Sequence, residues 1–135
     1  MHKKNKKEIY IFNTHFDNFG EQSRINSAKL LIHKINNMNI SNYPIVLMGD
    51  FNASPESKTI SIITTELEDG LESSKKSNKG PIGTHNGLKV KKITNRIDYI
   101  FVKNLNVLDY QHIDTYPQLN SFLSDHLPVF IKIDL

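Results

Sequence analysis

The chain has 135 residues, enough for one domain with a buried core, and its 38% hydrophobic and 23% charged composition is that of an ordinary globular protein. It has no cysteine, which excludes disulfides and thiolate metal sites, and no apolar run near the roughly 18 residues of a membrane span. Four of the 17 basic side chains, Lys3, Lys4, Lys6 and Lys7, crowd the N-terminus; the other 13 stand against 14 acidic ones, so the body is near neutral and nothing establishes nucleic-acid binding.

Residues 1–8 read as a solvated basic tail. Their charge resembles the start of a signal peptide, but no apolar stretch of adequate length follows, so a cytoplasmic location is expected. Glu8 to Phe12 is rich in β-branched and aromatic residues and predicts a strand, ending in Asn13, Thr14, His15, Phe16 and Asp17. Gly20 precedes a predicted helix over 21–37. Ile25, Ala28, Leu31, Ile32, Ile35 and Met38 recur there at helical spacing, and Asn36, Asn37 and Asn39 end it. A second strand, Pro44 to Met48, runs into Gly49, Asp50, Phe51 and Asn52, with Ala53, Ser54 and Pro55 closing a turn. A shorter helix is predicted over 56–66, then a polar loop from Glu68 to Gly83. Strands are predicted at Ile97 to Val102, at Leu105 to Ile113 after a turn at Lys103 and Asn104, and at Val129 to Ile133. Pro128 is tolerable at the start of the last one. Strand–helix–strand order with polar residues at the strand ends predicts an α/β fold, with no internal repeat or linker.

Four segments share one pattern, an apolar strand with polar side chains at its end: Asn13-Thr14-His15, Asp50-Phe51-Asn52, Arg96-Ile97-Asp98 and Ser124-Asp125-His126. Open α/β sheets place ligands at such strand ends. Gly49-Asp50-Phe51-Asn52 is also what an Asp/Asn turn looks like, since these side chains bond their own backbone. Asp50 with Asn52 could orient a water and donate to a phosphoryl oxygen. Asp125 precedes His126 and other carboxylates can come near it, and an Asp–His pair could fix one imidazole tautomer and raise its basicity. His2, His33 and His112 read as structural or exposed, and His85, in a loop, is assigned neither way. Arg24 reads either as a solvated helix arginine or as a contact to an anionic substrate.

The ordered set Asn13-Thr14-His15-Phe16-Asp17, Gly49-Asp50-Phe51-Asn52, Arg96-Ile97-Asp98-Tyr99-Ile100-Phe101 and Ser124-Asp125-His126-Leu127-Pro128-Val129 resembles the endonuclease/exonuclease/phosphatase superfamily of DNase I-like metal-dependent phosphohydrolases. Gly83-Thr84 through Gly87 is similar to the segment preceding the Arg-Ile-Asp motif, with His85 where an aromatic is common. The resemblance implies a phosphodiesterase, nuclease or phosphatase using Mg²⁺ or Mn²⁺. Asp50 would position or activate the attacking water, Asn52 and His15 would contact the phosphate, and Asp98 would orient His126. His126 would stabilise or protonate the phosphoryl group, and Asp125 would help bind the metal. The His15 context is less like abasic-site repair endonucleases than like branches acting on lipids, sugars, RNA or small phosphoesters.

The resemblance covers residues 9–135 and only the C-terminal half of the family domain. It implies half of a four-layered α/β sandwich, one mixed sheet with helices on one face. The N-terminal half, with the glutamate that is the principal metal ligand, is expected to be missing; Glu8 and Glu21 do not match it. An apolar sheet face would then be exposed, so a partner is expected: the missing half as another chain, or self-association through that face. The alternative to a hydrolase is a non-catalytic remnant or interaction module that keeps the half-fold.

Overall fold

The computed structural model describes residues 8–38, 41–89, 92–114 and 121–134. The tail up to Lys7, with His2 and its lysines, and Asn39 lie outside them. In chain order the elements are β1 (Tyr10–His15), α1 (Glu21–Met38), β2 (Ile45–Asp50), α2 (Lys58–Ile63), β3 (Glu68–Asp69), β4 (Asp98–Lys103), β5 (Asn106–His112) and β6 (Val129–Asp134). Among the described residues no helix is long and apolar enough to cross a membrane.

Four strands form a mixed sheet in the order β1-β2-β4-β3. β1 and β2 are parallel, as a helical crossover through α1 requires, and β2 and β4 are antiparallel. Side chains alternate across this sheet, so each strand serves two cores. Toward the helices point Tyr10, Phe12, Ile45, Leu47, Tyr99 and Phe101, packed against Ala28, Leu31, Ile32 and Ile35 of α1 and Ile60 and Ile63 of α2. Phe51 sits fully buried at their centre, with its ring edge-on to Phe16, Tyr99 and Phe101 at centroid distances of 5.0, 5.7 and 5.2 Å. Met38 ends α1 exposed, one turn beyond the core.

α2 is shorter than the 56–66 predicted. Ser57 caps its start, accepting the Ile60 N–H at 3.3 Å. Thr64 and Thr65 end it by donating their hydroxyls back to the carbonyls of Ile60 and Ile62.

β5 and β6 do not join the mixed sheet but pair with each other. They lie over its second face, where Val46, Ile100 and Val102 meet Val107, Tyr110, Val129, Ile131 and Ile133. Among the described residues the cover is incomplete. Ile11 stands in the same cross-strand row as Val46 and Val102 yet is 60% exposed. Arg96, expected near the chemistry by its motif, is buried in structure instead: it pairs with Asp69 at 2.6 Å and lies 4.4 Å over the Tyr99 ring.

Candidate functional site

Strand register assembles the site. β1 reaches three residues beyond its apolar run, because Asn13, Thr14 and His15 keep pairing with Met48, Gly49 and Asp50. His15, Asp50 and Asp98 thereby form one row across three strands, on the face away from the helices. Gly49 makes this close approach possible: its φ is +144°, and a Cβ there would lie 1.8 Å from the Thr14 carbonyl oxygen.

Beyond Asp50 the chain turns through Asn52 in the left-handed region, φ +47°. The Asn52 N–H donates to Asp50 Oδ1 at 2.8 Å, so the Asx turn expected for these residues is present alongside the site. The Asn52 carboxamide donates to the Phe16 carbonyl at 3.0 Å and to Asp50 Oδ2 at 3.3 Å. Phe51 N–H donates to the Ile97 carbonyl, and the buried Tyr99 hydroxyl lies 2.8 Å from the Ala53 carbonyl oxygen and 3.0 Å from that of Arg96. These bonds lock the turn after Asp50 to the start of β4.

Thr84 performs the same service for His126. Its hydroxyl accepts the N–H groups of Ile97 and Asp98 at 3.1 Å each, and its carbonyl accepts Leu127 N–H at 2.7 Å. His126 consequently meets Asp98, with Nδ1 2.9 Å from Oδ2. A bond from Nδ1–H to the carboxylate leaves Nε2 as the free ring nitrogen.

A cavity of about 490 Å³ opens above this row, lined by His15, Asn18, Asp50, Asn52, Ser54, His85, Asn95, Ile97, Asp125 and His126. Asp98 instead lines, with Asp50, a second cavity of about 210 Å³ that Leu127 and Val129, at the start of β6, also line. His15 is the loosest member, 72% exposed with Nε2 3.4 Å from Asp50 Oδ2. Asp125 is half exposed, and its Oδ2 is 3.7 Å from His85 Nε2. Sequence reasoning passed over Asn18, Ser54 and Asn95 and left His85 undecided. Only the backbone pairing of His85 with Asn95 and with His126 brings it in. Arg24 is not at the cavity; its guanidinium donates to the Asp17 carbonyl at 3.1 Å and braces the loop into α1.

Among the described residues, His33 and His112 are exposed and structural respectively, as read; His2 lies outside them. His33 bonds Asn37 on the open face of α1. His112 is buried with Nδ1 2.8 Å from the Pro81 carbonyl oxygen, and burial pushes its imidazole below the ordinary 6.5. Among the described residues, two side-chain groups have ligand atoms close enough to share a metal ion: Asp50, Asp98 and His126, and His85, Asp125 and His126.

Comparison with known proteins places the family and the fold. The model of the Endonuclease/Exonuclease/phosphatase family matches residues 8–126. An endonuclease/exonuclease/phosphatase family protein from Bacteroides thetaiotaomicron is 28% identical and superposes with a TM-score of 0.80 over 98% of this chain and 53% of its own. A mannosyl-6-phosphatase from the same organism is 26% identical, with a TM-score of 0.81 over 93% of this chain and 51% of its own. The human Nocturnin catalytic domain, 22% identical, shares the fold with a TM-score of 0.77 over 98% of this chain and 49% of its own. The chain thus spans about half the length of the solved chains it matches. A search of curated proteins gave no match.

Proposed function

The chain belongs to the endonuclease/exonuclease/phosphatase family, and from that premise we propose that it hydrolyses phosphate esters with the help of a divalent cation. One observation carries the reading: His15, Asp50, Asn52 and His126, from three distant segments, line one cavity, with Asp98 behind His126. Hydrolysis of a phosphate ester needs an in-line water and neutralisation of charge on the equatorial oxygens. In this reading Asp50 orients the water and takes its proton as the water oxygen attacks phosphorus. The bond to the leaving oxygen breaks and that oxygen takes a proton from bulk water, while His126, in its imidazolium form held by Asp98, donates from Nε2–H to the phosphoryl oxygens. Asn52 exchanges its longer, 3.3 Å bond to Asp50 for a phosphate oxygen, and His15 contacts another.

The carboxylates of Asp50, Asp98 and Asp125 are hard oxygen donors and fit Mg²⁺ or Mn²⁺, which keep several waters. Asp125 is the most accessible of the three candidates. Such an ion, when bound, supplies positive charge at the phosphoryl oxygens. Neither Glu8 nor Glu21 lines the cavity. Sugar and other small phosphoesters fit a near-neutral body better than duplex DNA, whose binding rests on phosphate neutralisation.

The test is hydrolysis of p-nitrophenyl phosphate and bis-p-nitrophenyl phosphate by the purified chain, with Mg²⁺, with Mn²⁺ and with chelator. Cation-stimulated turnover is expected, and His126→Ala should lower it at least about 100-fold. An unaltered rate in that variant would remove His126 from the reaction. A second reading, a non-catalytic module, draws on the uncovered row at Ile11 and the half-length match. Its occupant would be a chain carrying the other half of the family domain. Turnover that appears only when such a chain is added would make the site a composite one; none under either condition would favour the module.

A further inference from the structure

We propose that His85, Asp125 and His126 form a binding site for a borderline transition-metal ion of the Zn²⁺ class, sharing Asp125 with the carboxylate set that suits Mg²⁺ but adding two imidazoles to it. The backbone builds it. Asn86 N–H donates to the Asp125 carbonyl at 2.8 Å and Leu127 N–H to the Thr84 carbonyl at 2.7 Å, which makes His85 and His126 directly opposite, antiparallel partners. In this arrangement the two bonds flank the pair rather than joining it, the geometry that brings facing side chains closest. The rings meet accordingly, with centroids 4.9 Å apart. Asn86 holds the ribbon from within: it is buried, donates its amide to the Ser124 carbonyl and accepts Leu88 N–H.

The donors then converge. One ligand atom from each of the three side chains lies within 4.8 Å of the others, and His85 Nε2 is 3.7 Å from Asp125 Oδ2. Tetrahedral zinc with bonds of about 2.0–2.1 Å sets its ligand atoms roughly 3.4 Å apart. The contraction needed is small for side chains that are partly exposed. Two imidazole nitrogens and one carboxylate oxygen favour a borderline ion over a hard one. Asp98 on His126 Nδ1 supplies the outer carboxylate that orients a ligating histidine and frees its Nε2. Three protein ligands leave the fourth position to water.

Binding at this site does not depend on the hydrolytic reading. If that reading holds, Zn²⁺ here occupies the nitrogen of His126 that faces the phosphate, and so inhibits.

The experiment is titration of the untagged, full chain with Co²⁺, read by visible absorption, followed by displacement with Zn²⁺ and by Zn²⁺ calorimetry. One ion per chain with a four- or five-coordinate cobalt spectrum is expected. His85→Gln and His85→Phe should each weaken binding at least about 10-fold, with unchanged far-ultraviolet circular dichroism, while His33→Gln leaves it as it was. Wild-type affinity and spectrum in both His85 variants, or only a six-coordinate cobalt spectrum in the parent, would overturn the proposal. Zn²⁺ bound through His85 without loss of phosphoester turnover would uphold the site and remove His126 from the reaction.

Discussion

At the scale of single residues, the free nitrogen of His126 is defined by what the other nitrogen holds. Asp98 accepts from Nδ1 at 2.9 Å, and an amide in its place can offer either a donor or an acceptor, so the tautomer is no longer fixed. Asp98→Asn should therefore lower kcat by about 100-fold or more with little change in KM, measured on the same chromogenic esters. His112 carries a different consequence. Its Nδ1 faces the Pro81 carbonyl, its Nε2 is buried without a hydrogen-bond partner among the described residues, and burial lowers its affinity for a proton in the folded state. The unfolded chain then binds more protons just below pH 6.5, so this residue's contribution to stability falls as pH drops from 6.5 toward its folded value and is constant below that. Urea midpoints measured from pH 7 to pH 5 should decline more steeply in the parent than in His112→Gln.

At the scale of elements, the chain announces its longer strands and α1 but not their reach. It hides β3, where Glu68 and Asp69 pair with β4 although the polar sequence predicts a loop from Glu68 onward. Apolar runs predict β1 and β2 only as far as Phe12 and Met48, whereas both continue through the polar residues of the site. Hydrophobic pattern is blind to that extension, which comes from backbone pairing with a neighbouring strand. For the same reason the separation of β5 and β6 into their own sheet cannot be read from two alternating segments, and His85 gives no signal before its loop is paired with His126. The candidate residues on strand ends were legible because their types and order are specific; the cavity-lining asparagines in loops were not. Packing supplies two predictions. Phe51→Ala removes the ring at the junction of three other aromatics and should destabilise by about 3–5 kcal/mol in denaturant unfolding. Gly49→Ala should part β1 from β2 at the Thr14 carbonyl, lowering both the melting temperature and any turnover, since His15 and Asp50 flank that contact.

At the scale of the whole molecule, one face of the mixed sheet is closed by helices and the other only in part by β5 and β6. If a second chain covers the row at Ile11, then co-expression with the N-terminal half of a longer relative should give a complex in sedimentation that Ile11→Lys weakens, because a buried lysine in that row is left unpaired. The strand register also sets how firmly different regions hold. Asp50 and Asp98 stand directly opposite each other across β2 and β4, a like-charge pair at one end of a ladder whose other end is Ile45 opposite Lys103. The molecule should accordingly fray from the aspartate end. Amide hydrogens of Gly49 to Phe51 would exchange with deuterium sooner than those of Val46 and Leu47, and a bound cation would slow the former while sparing the latter.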